Sequence, residues 1–208
     1  MYTFKHLSLT HSQLLSTATG GYKRSRNSFL FSLDNNIKMM STRHPQYSSY
    51  NSASYGPTFG GGHDLHISNN CRRSKSSYSN LGHSYQTPSN YRYGSGNARN
   101  MLAGSYQFYC HEYEVFYLTG KSKPTRGGSL SGSSIMSSQP SYKKSRLNNF
   151  ISGVSNGKSW RLCFKASQHN YNSRSFHRAC DGKGPTLTLV KVGSRVFGGY
   201  NSLSWNCK

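Results

Sequence analysis

The segment TLTLVKV (186–192), the dipeptide Gly193-Ser194 and the run RVFGGY (195–200) constrain this chain more than any other stretch. Two runs of period-two apolar spacing joined by a two-residue turn that opens on glycine read as an antiparallel hairpin. SFLFSL (28–33) reads as a further strand with Phe29, Phe31 and Leu33 on one face. DLHI (64–67), SYQF (105–108), YEVFYL (113–118) and WRLCFKA (160–166) have the same short, alternating character. Between them, 34–55 reads as a polar connection and 68–100 as long loop. Helix is confined to two places. Leu147, Phe150, Ile151 and Val154 form an apolar stripe at i, i+3, i+4 and i+7, and SRSFHRAC (173–180) makes a short helix with Ser173 as N-cap and Gly182 ending it. The fold class is therefore α+β, mainly β.

Leu, Ile, Val and Phe together make up only 35 of 208 residues, and the net charge is +21, a balance typical of disordered chains. Sixteen Tyr restore apolar surface, since each ring buries more area than an aliphatic side chain. The charge reflects scarce acids: Asp34, Asp64, Glu112, Glu114 and Asp181 are the only carboxylate side chains. Such a chain is expected to contact nucleic acid, anionic membrane or other polyanions without specificity. Five cysteines without a CxxC pair suit reduced thiols in the cytoplasm. No apolar leader, membrane-length apolar run or N-x-[S/T] sequon points to secretion or a membrane span.

Several constellations suggest chemistry. Gly153 to Gly157-Lys158-Ser159 has one residue too few for a phosphate loop, and Gly60, Gly61 and Gly62 run into a strand rather than opening a helix. Strand alternation sends His63 and His66 to opposite faces, which disfavours joint metal ligation and leaves Asp64 as an acceptor for backbone or tyrosine donors. Cys163, His169, His177 and Cys180 match no zinc spacing. Glu112 and Glu114 are expected to face Lys or Arg across a strand pair, and the side chains of Cys110 and His111 diverge. No catalytic, cofactor-binding or metal residue is assigned.

SFLFSL, GPTFGGGHDLHI (56–67), SYSNLGHSYQTP (77–88) and LAGSYQFYCHEYEVFYL (102–118) together resemble the second half of a TLDc domain, that of the oxidation-resistance proteins. SWRLCFKAS (159–167), SFHRACDGKGPTLTLVKVG (175–193) and FGGYNSLSW (197–205) resemble its first half, with LNNFISGV (147–154) similar to its opening helix. The halves stand in swapped order. A slice of a tandem array, a mis-spliced array and a true circular permutant are the three accounts of that order. The resemblance divides the chain into a flexible leader (1–19), a C-terminal-half segment (20–118), a Gly/Ser/Lys linker (119–132) and an N-terminal-half segment (133–208).

The resemblance implies a β-sandwich flanked by short helices. Its motif positions here are Gly56, Pro57, Phe59, Gly60, Gly61, Gly62, Asp64, Trp160, Phe176, Asp181, Gly184, Phe197, Gly198, Gly199 and Trp205, all structural in role. The glycine clusters then serve close backbone approach rather than phosphate binding. It further implies a non-enzymatic protein-interaction module linked to oxidative-stress protection, with the vacuolar proton ATPase as partner and a domain-swapped oligomer as one possible assembly. Three alternatives stand beside it: polyanion binding, a non-functional array fragment, and a thiol-based peroxide scavenger built on Cys180.

Overall fold

The computed structural model describes residues 20–121 and 130–207. The expected leader and most of the expected linker lie outside them. Among the described residues twelve strands form two antiparallel sheets. The first contains β1 (Gly21–Lys23), β4 (Ser49–Asn51), β5 (Tyr55–Phe59), β6 (Leu65–Ser68), β7 (Ser77–Ser79) and β8 (Gln107–Phe108), side by side in that order. The second runs β10 (Lys158–Lys165), β9 (Glu112–Lys121), β11 (Thr186–Val192), β12 (Arg195–Asn201), β2 (Phe29–Ser32) and β3 (Ile37–Met40). The α-helices among the described residues are α1 (Gly96–Asn100), α2 (Ser134–Ser137), α3 (Ser141–Ser155) and α4 (Ser173–Cys180). The architecture is the expected β-sandwich with short helices.

The second sheet is covered on both faces, which is why SFLFS is buried at every strand position. On one side Leu30, Val115, Val190 and Phe197 meet Phe59, Leu65 and Ile67 of the first sheet. On the other, Phe29, Phe31, Phe116, Leu187 and Leu189 pack under Ile135, Met136, Leu147 and Ile151 of α2 and α3. The stripe read from the sequence thus seats α3, with Leu147 and Ile151 buried and Phe150 and Val154 beside them. β12 pairs with β2 from Phe197↔Ser32 to Tyr200↔Phe29, and β9 lies between β10 and β11. Residues 20–121 and 130–207 therefore share one sheet. Gly20 N–H donates to the Asn206 carbonyl at 2.9 Å, so the two ends of the described chain meet.

The region 34–55 is not merely a connection, because it holds β3 and β4, and 68–100 holds β7 and α1. β4 and β7 invert the usual pattern. Ser49, Asn51, Ser77 and Ser79 point inward and are buried, while Tyr50 and Tyr78 face outward. A polar residue every second position hides such strands from any search for apolar alternation. The linker assigned from 119 begins later, since β9 continues to Lys121. The N-cap of α4 is Asn172, whose side chain accepts the Ser175 N–H at 3.1 Å, rather than Ser173. Ser173 is already the first helical residue, and its N–H donates to Asn69 Oδ1. Gly182 follows the helix with φ +73°.

Candidate functional site

The turn between β5 and β6 is built around Asp64. Its carboxylate is fully buried and accepts the backbone N–H groups of Gly82 (2.8 Å), His83 (3.0 Å), Ser84 (3.0 Å) and Tyr85 (3.5 Å). Burial raises its pKa to about 7, against the four amides that pull it down. Gly60 and Gly62 lie in the left-handed region at φ +85° and +77°. A Cβ on Gly60 would overlap the Asp64 carboxylate, and one on Gly61 would sit 2.9 Å from Tyr47 and His83. The glycine run is thus a backbone device that lets a loop close over a carboxylate.

The same turn overturns one expectation. His63 is not a strand residue but a turn residue at φ +55°, so alternation does not apply to it. Its ring stacks on His66 at 5.2 Å, and both lie within a continuous aromatic band. The band crosses the outer face of the first sheet from Tyr22 to Tyr50 (4.8 Å) and Tyr55 (6.0 Å), then to His66 (4.5 Å), Tyr78 (5.2 Å) and Tyr106 (5.5 Å). The Arg99 guanidinium caps it, 4.7 Å from the Tyr106 ring. Tyr22 is 44% exposed and Tyr106 37%, so the band presents aromatic surface to solvent. Sequence reading missed this feature. Its trace is the recurring Tyr among small polar residues, as in SSYN, SASYG, SSYSN and GSYQ.

His66 also supplies a pH response. The Thr58 hydroxyl donates to the Gly56 carbonyl and receives the His66 Nδ1–H at 2.9 Å, which puts a proton on Nδ1 and leaves Nε2 as the nitrogen that titrates. Burial, then the nearby His63, lowers His66 to about 3. The unfolded chain takes up this proton near pH 6.5 and the folded one does not. Stability conferred by neutral His66 is complete above pH 6.5 and is lost as pH falls towards 3. Relative to a His66→Gln variant, whose side chain never titrates, the urea midpoint of the native chain should fall over that window. A pH-independent difference between the two would contradict the assignment.

The structure corrects one other expectation about the chemistry and refines a second. Cys163 and Cys180 form a disulfide, with Cα atoms 5.7 Å apart, because α4 packs against β10. This removes the composition's reason for expecting all thiols reduced, and with it Cys180 as a peroxide-reactive thiol. Glu112 lies opposite Lys191 and Glu114 opposite Lys165 in the strand pairs, as expected, but the hydrogen bonds of the Glu114 carboxylate go elsewhere. It is fully buried beneath α2 and accepts from the Ser133 and Ser134 hydroxyls and the Ser134 and Ile135 N–H groups. Glu112 accepts from the amides of Tyr113 and Ser167. A cleft of about 370 Å³ lies beside it, lined by His111, Glu112, Ser134 and Lys191, where His111 Nδ1 accepts the Gly193 N–H. Cys110 points the other way, into the core, so the two neighbours diverge as expected.

The remaining motif residues come together in the interior. Phe59, Phe176 and Trp205 meet edge to face at 5.5–5.7 Å, and Trp205 Nε1–H donates to the Thr186 hydroxyl. Phe197 packs on Phe108, and Trp160 on Tyr200 on the helix side. Gly56 and Pro57 sit at the irregular step of β5, where a ring nitrogen without a proton costs no ladder bond. Gly184, Gly198 and Gly199 each bring backbone or side chains too close for a Cβ. Asp181 closes α4 and accepts both His177 Nδ1–H and the Cys207 N–H at 2.8 Å.

A sequence model of the TLDc domain matches residues 9–119 and 130–208, nearly the whole chain. The chain belongs to the TLDc domain family. No curated protein and no solved structure matches it. In this TLDc domain the buried carboxylates and the glycine clusters organise backbone, and the outward-facing chemistry is aromatic and cationic. No helix among the described residues is long and apolar enough to cross a membrane.

Proposed function

We propose that this TLDc domain is a non-enzymatic interaction module linked to oxidative-stress protection, and that the aromatic band on its first sheet docks a protein partner. The observation that carries the reading is the band itself, seven rings in a continuous run of contacts with solvent-facing tyrosines at both ends. Aromatic side chains supply large contact area at low entropic cost and dominate interface energetics. The five carboxylates support a structural rather than catalytic use of the titratable groups, since each is held by backbone amides or by a buried cation. The resemblance of the domain makes the vacuolar proton ATPase the partner to test.

The same placement of the acids favours a second reading, polyanion binding. Asp34 pairs with Lys143 at 2.7 Å, Asp64 and Glu114 are buried, and Asp181 is held by His177. The surface therefore carries most of the 26 Lys and Arg with little opposing charge. One experiment separates the two readings: binding of the full chain to purified vacuolar proton ATPase and to a single-stranded oligonucleotide, each from 50 to 200 mM salt. Docking through the band predicts capture of the ATPase that weakens less than about tenfold across the series and at least tenfold on Tyr22→Ser/Tyr106→Ser. Polyanion binding predicts oligonucleotide affinity falling by about 10³ or more with the ATPase ignored. Failure to capture the ATPase, or undiminished capture by the double variant, overturns the first reading.

A further inference from the structure

His177, Asp181 and Cys207 bring one nitrogen, one oxygen and one sulfur within 4.8 Å of each other. Two come from a single helix end at i and i+4, the third from the irregular segment that follows Trp205. Among the described residues this is where three potential metal ligands converge. Cys163 and Cys180 are excluded from any such role by their disulfide.

The orientation of His177 is decided by its other nitrogen. Nε2 lies 2.9 Å from both the Ser52 and Tyr55 carbonyl oxygens, which can only accept, so Nε2 carries the proton. Nδ1 is left facing the Asp181 carboxylate at 2.8 Å and the Cys207 thiol. A ligating histidine whose second ring nitrogen donates to a backbone carbonyl is the usual outer-shell arrangement of metal sites. Asp181 is likewise held, because its second oxygen accepts the Cys207 N–H. The side chains of His177 and Asp181 are 8% and 3% exposed, so the pair sits out of bulk water.

We propose that His177 Nδ1, a carboxylate oxygen of Asp181 and Cys207 Sγ form a binding site for a divalent transition-metal ion of the zinc class, with the fourth position open. The donor set of imidazole, carboxylate and thiolate is the one zinc and cobalt favour. Binding displaces the protons that the imidazole Nδ1 and the thiol carry when the site holds no ion, and these leave to solvent. Tetrahedral bonds of about 2.0–2.3 Å place ligand atoms roughly 3.3–3.8 Å apart, so the Nδ1···Oδ1 contact opens by about half an ångström. Lys23 on β1 is in electrostatic contact with Cys207, while the two anionic ligands match the charge of a divalent ion.

The test is a Co²⁺ titration of the full chain without thiol reductant, followed by near-ultraviolet absorption for the thiolate-to-cobalt charge-transfer band. The expected result is one equivalent of Co²⁺, displaced by Zn²⁺, with the melting midpoint raised by about 5–10 °C at Zn²⁺ a hundredfold above its Kd. Cys207→Ser, a half-exposed change at the chain's end, should abolish the band and leave the metal-free melt in place. Cys110→Ala, which alters a buried thiol outside the cluster, should retain the band. His177→Gln, whose side chain is buried, adds the loss of affinity if it folds. Absence of a band in metal excess, or a band of full strength in Cys207→Ser, overturns the proposal and leaves the cluster as a hydrogen-bonded ion pair.

Discussion

Asp64→Ala is expected to remove the folded state altogether. The aspartate carboxylate is the acceptor for four consecutive amides, Gly82 to Tyr85, three of them at 2.8–3.0 Å. Truncation leaves these donors facing an apolar methyl inside the protein. Each buried donor left unsatisfied costs about 1–3 kcal/mol, so the loss is about 5 kcal/mol or more. Domains of this size have about 5–15 kcal/mol in total. The loss also propagates, because the amide run positions Ser84, whose hydroxyl accepts the Gly61 N–H, and Tyr85, whose hydroxyl donates to the Ser48 carbonyl at 2.6 Å. β4, β5 and the 82–85 loop come apart together. Asp64→Asn keeps one acceptor oxygen and the side-chain volume, and should give an intermediate loss. Far-UV circular dichroism with a urea titration measures both. A cooperative Asp64→Ala transition within about 1 kcal/mol of the native chain would show that the amides find other partners.

Gly198→Ala should be nearly as damaging, for a steric reason. Gly198 lies in β12 between Leu189 of β11 and Phe31 of β2, in the middle of the sheet that joins the two segments. A Cβ there would overlap the Thr188 backbone carbonyl and stand 3.1 Å from the Phe31 ring. Neither neighbour has room to move, since Thr188 is held in the β11–β12 ladder and Phe31 is fully buried. Overpacking a well-packed core typically costs about 1–3 kcal/mol, and a clash with backbone in a central strand costs more. We expect a loss of at least about 3 kcal/mol with the strand order disturbed. Gly153→Ala is the matched control. It lies in α3 with nothing near its missing Cβ, so alanine should stabilise by up to about 1 kcal/mol. Equal urea midpoints for the two alanine variants would contradict the close approach at Gly198.

The single sequence carried the elements whose side chains alternate in hydrophobicity. β2, β6, β9, β10, β11, β12, α3 and α4 were all legible, because an apolar residue every second or every third to fourth position is a direct consequence of burying one face. The acceptor role of Asp64 was legible too, since an isolated acid beside three glycines in an almost acid-free chain has few uses. β3, β4 and β7 were not. In β4 and β7 serine and asparagine fill the interior positions while tyrosine faces outward, so the periodicity is present with its polarity reversed.

What the sequence determined by itself is local: strand and helix periods, the 193–194 turn, the glycines that need φ > 0 or close approach, and membership of a family through many short motifs. The tertiary structure alone decided which side chains meet across long separations. It joined Cys163 to Cys180, laid the tyrosines of four strands and Tyr106 into one band, drew the Glu114 carboxylate to a helix N-terminus although Lys165 stands opposite it in the strand pair, and set His177 and Asp181 beside Cys207. The physical reason is that periodicity records whether a residue is buried, while its partner depends on strand order and sheet packing. Those are fixed by the sum of many weak contacts over the whole chain, and no single stretch of sequence contains them.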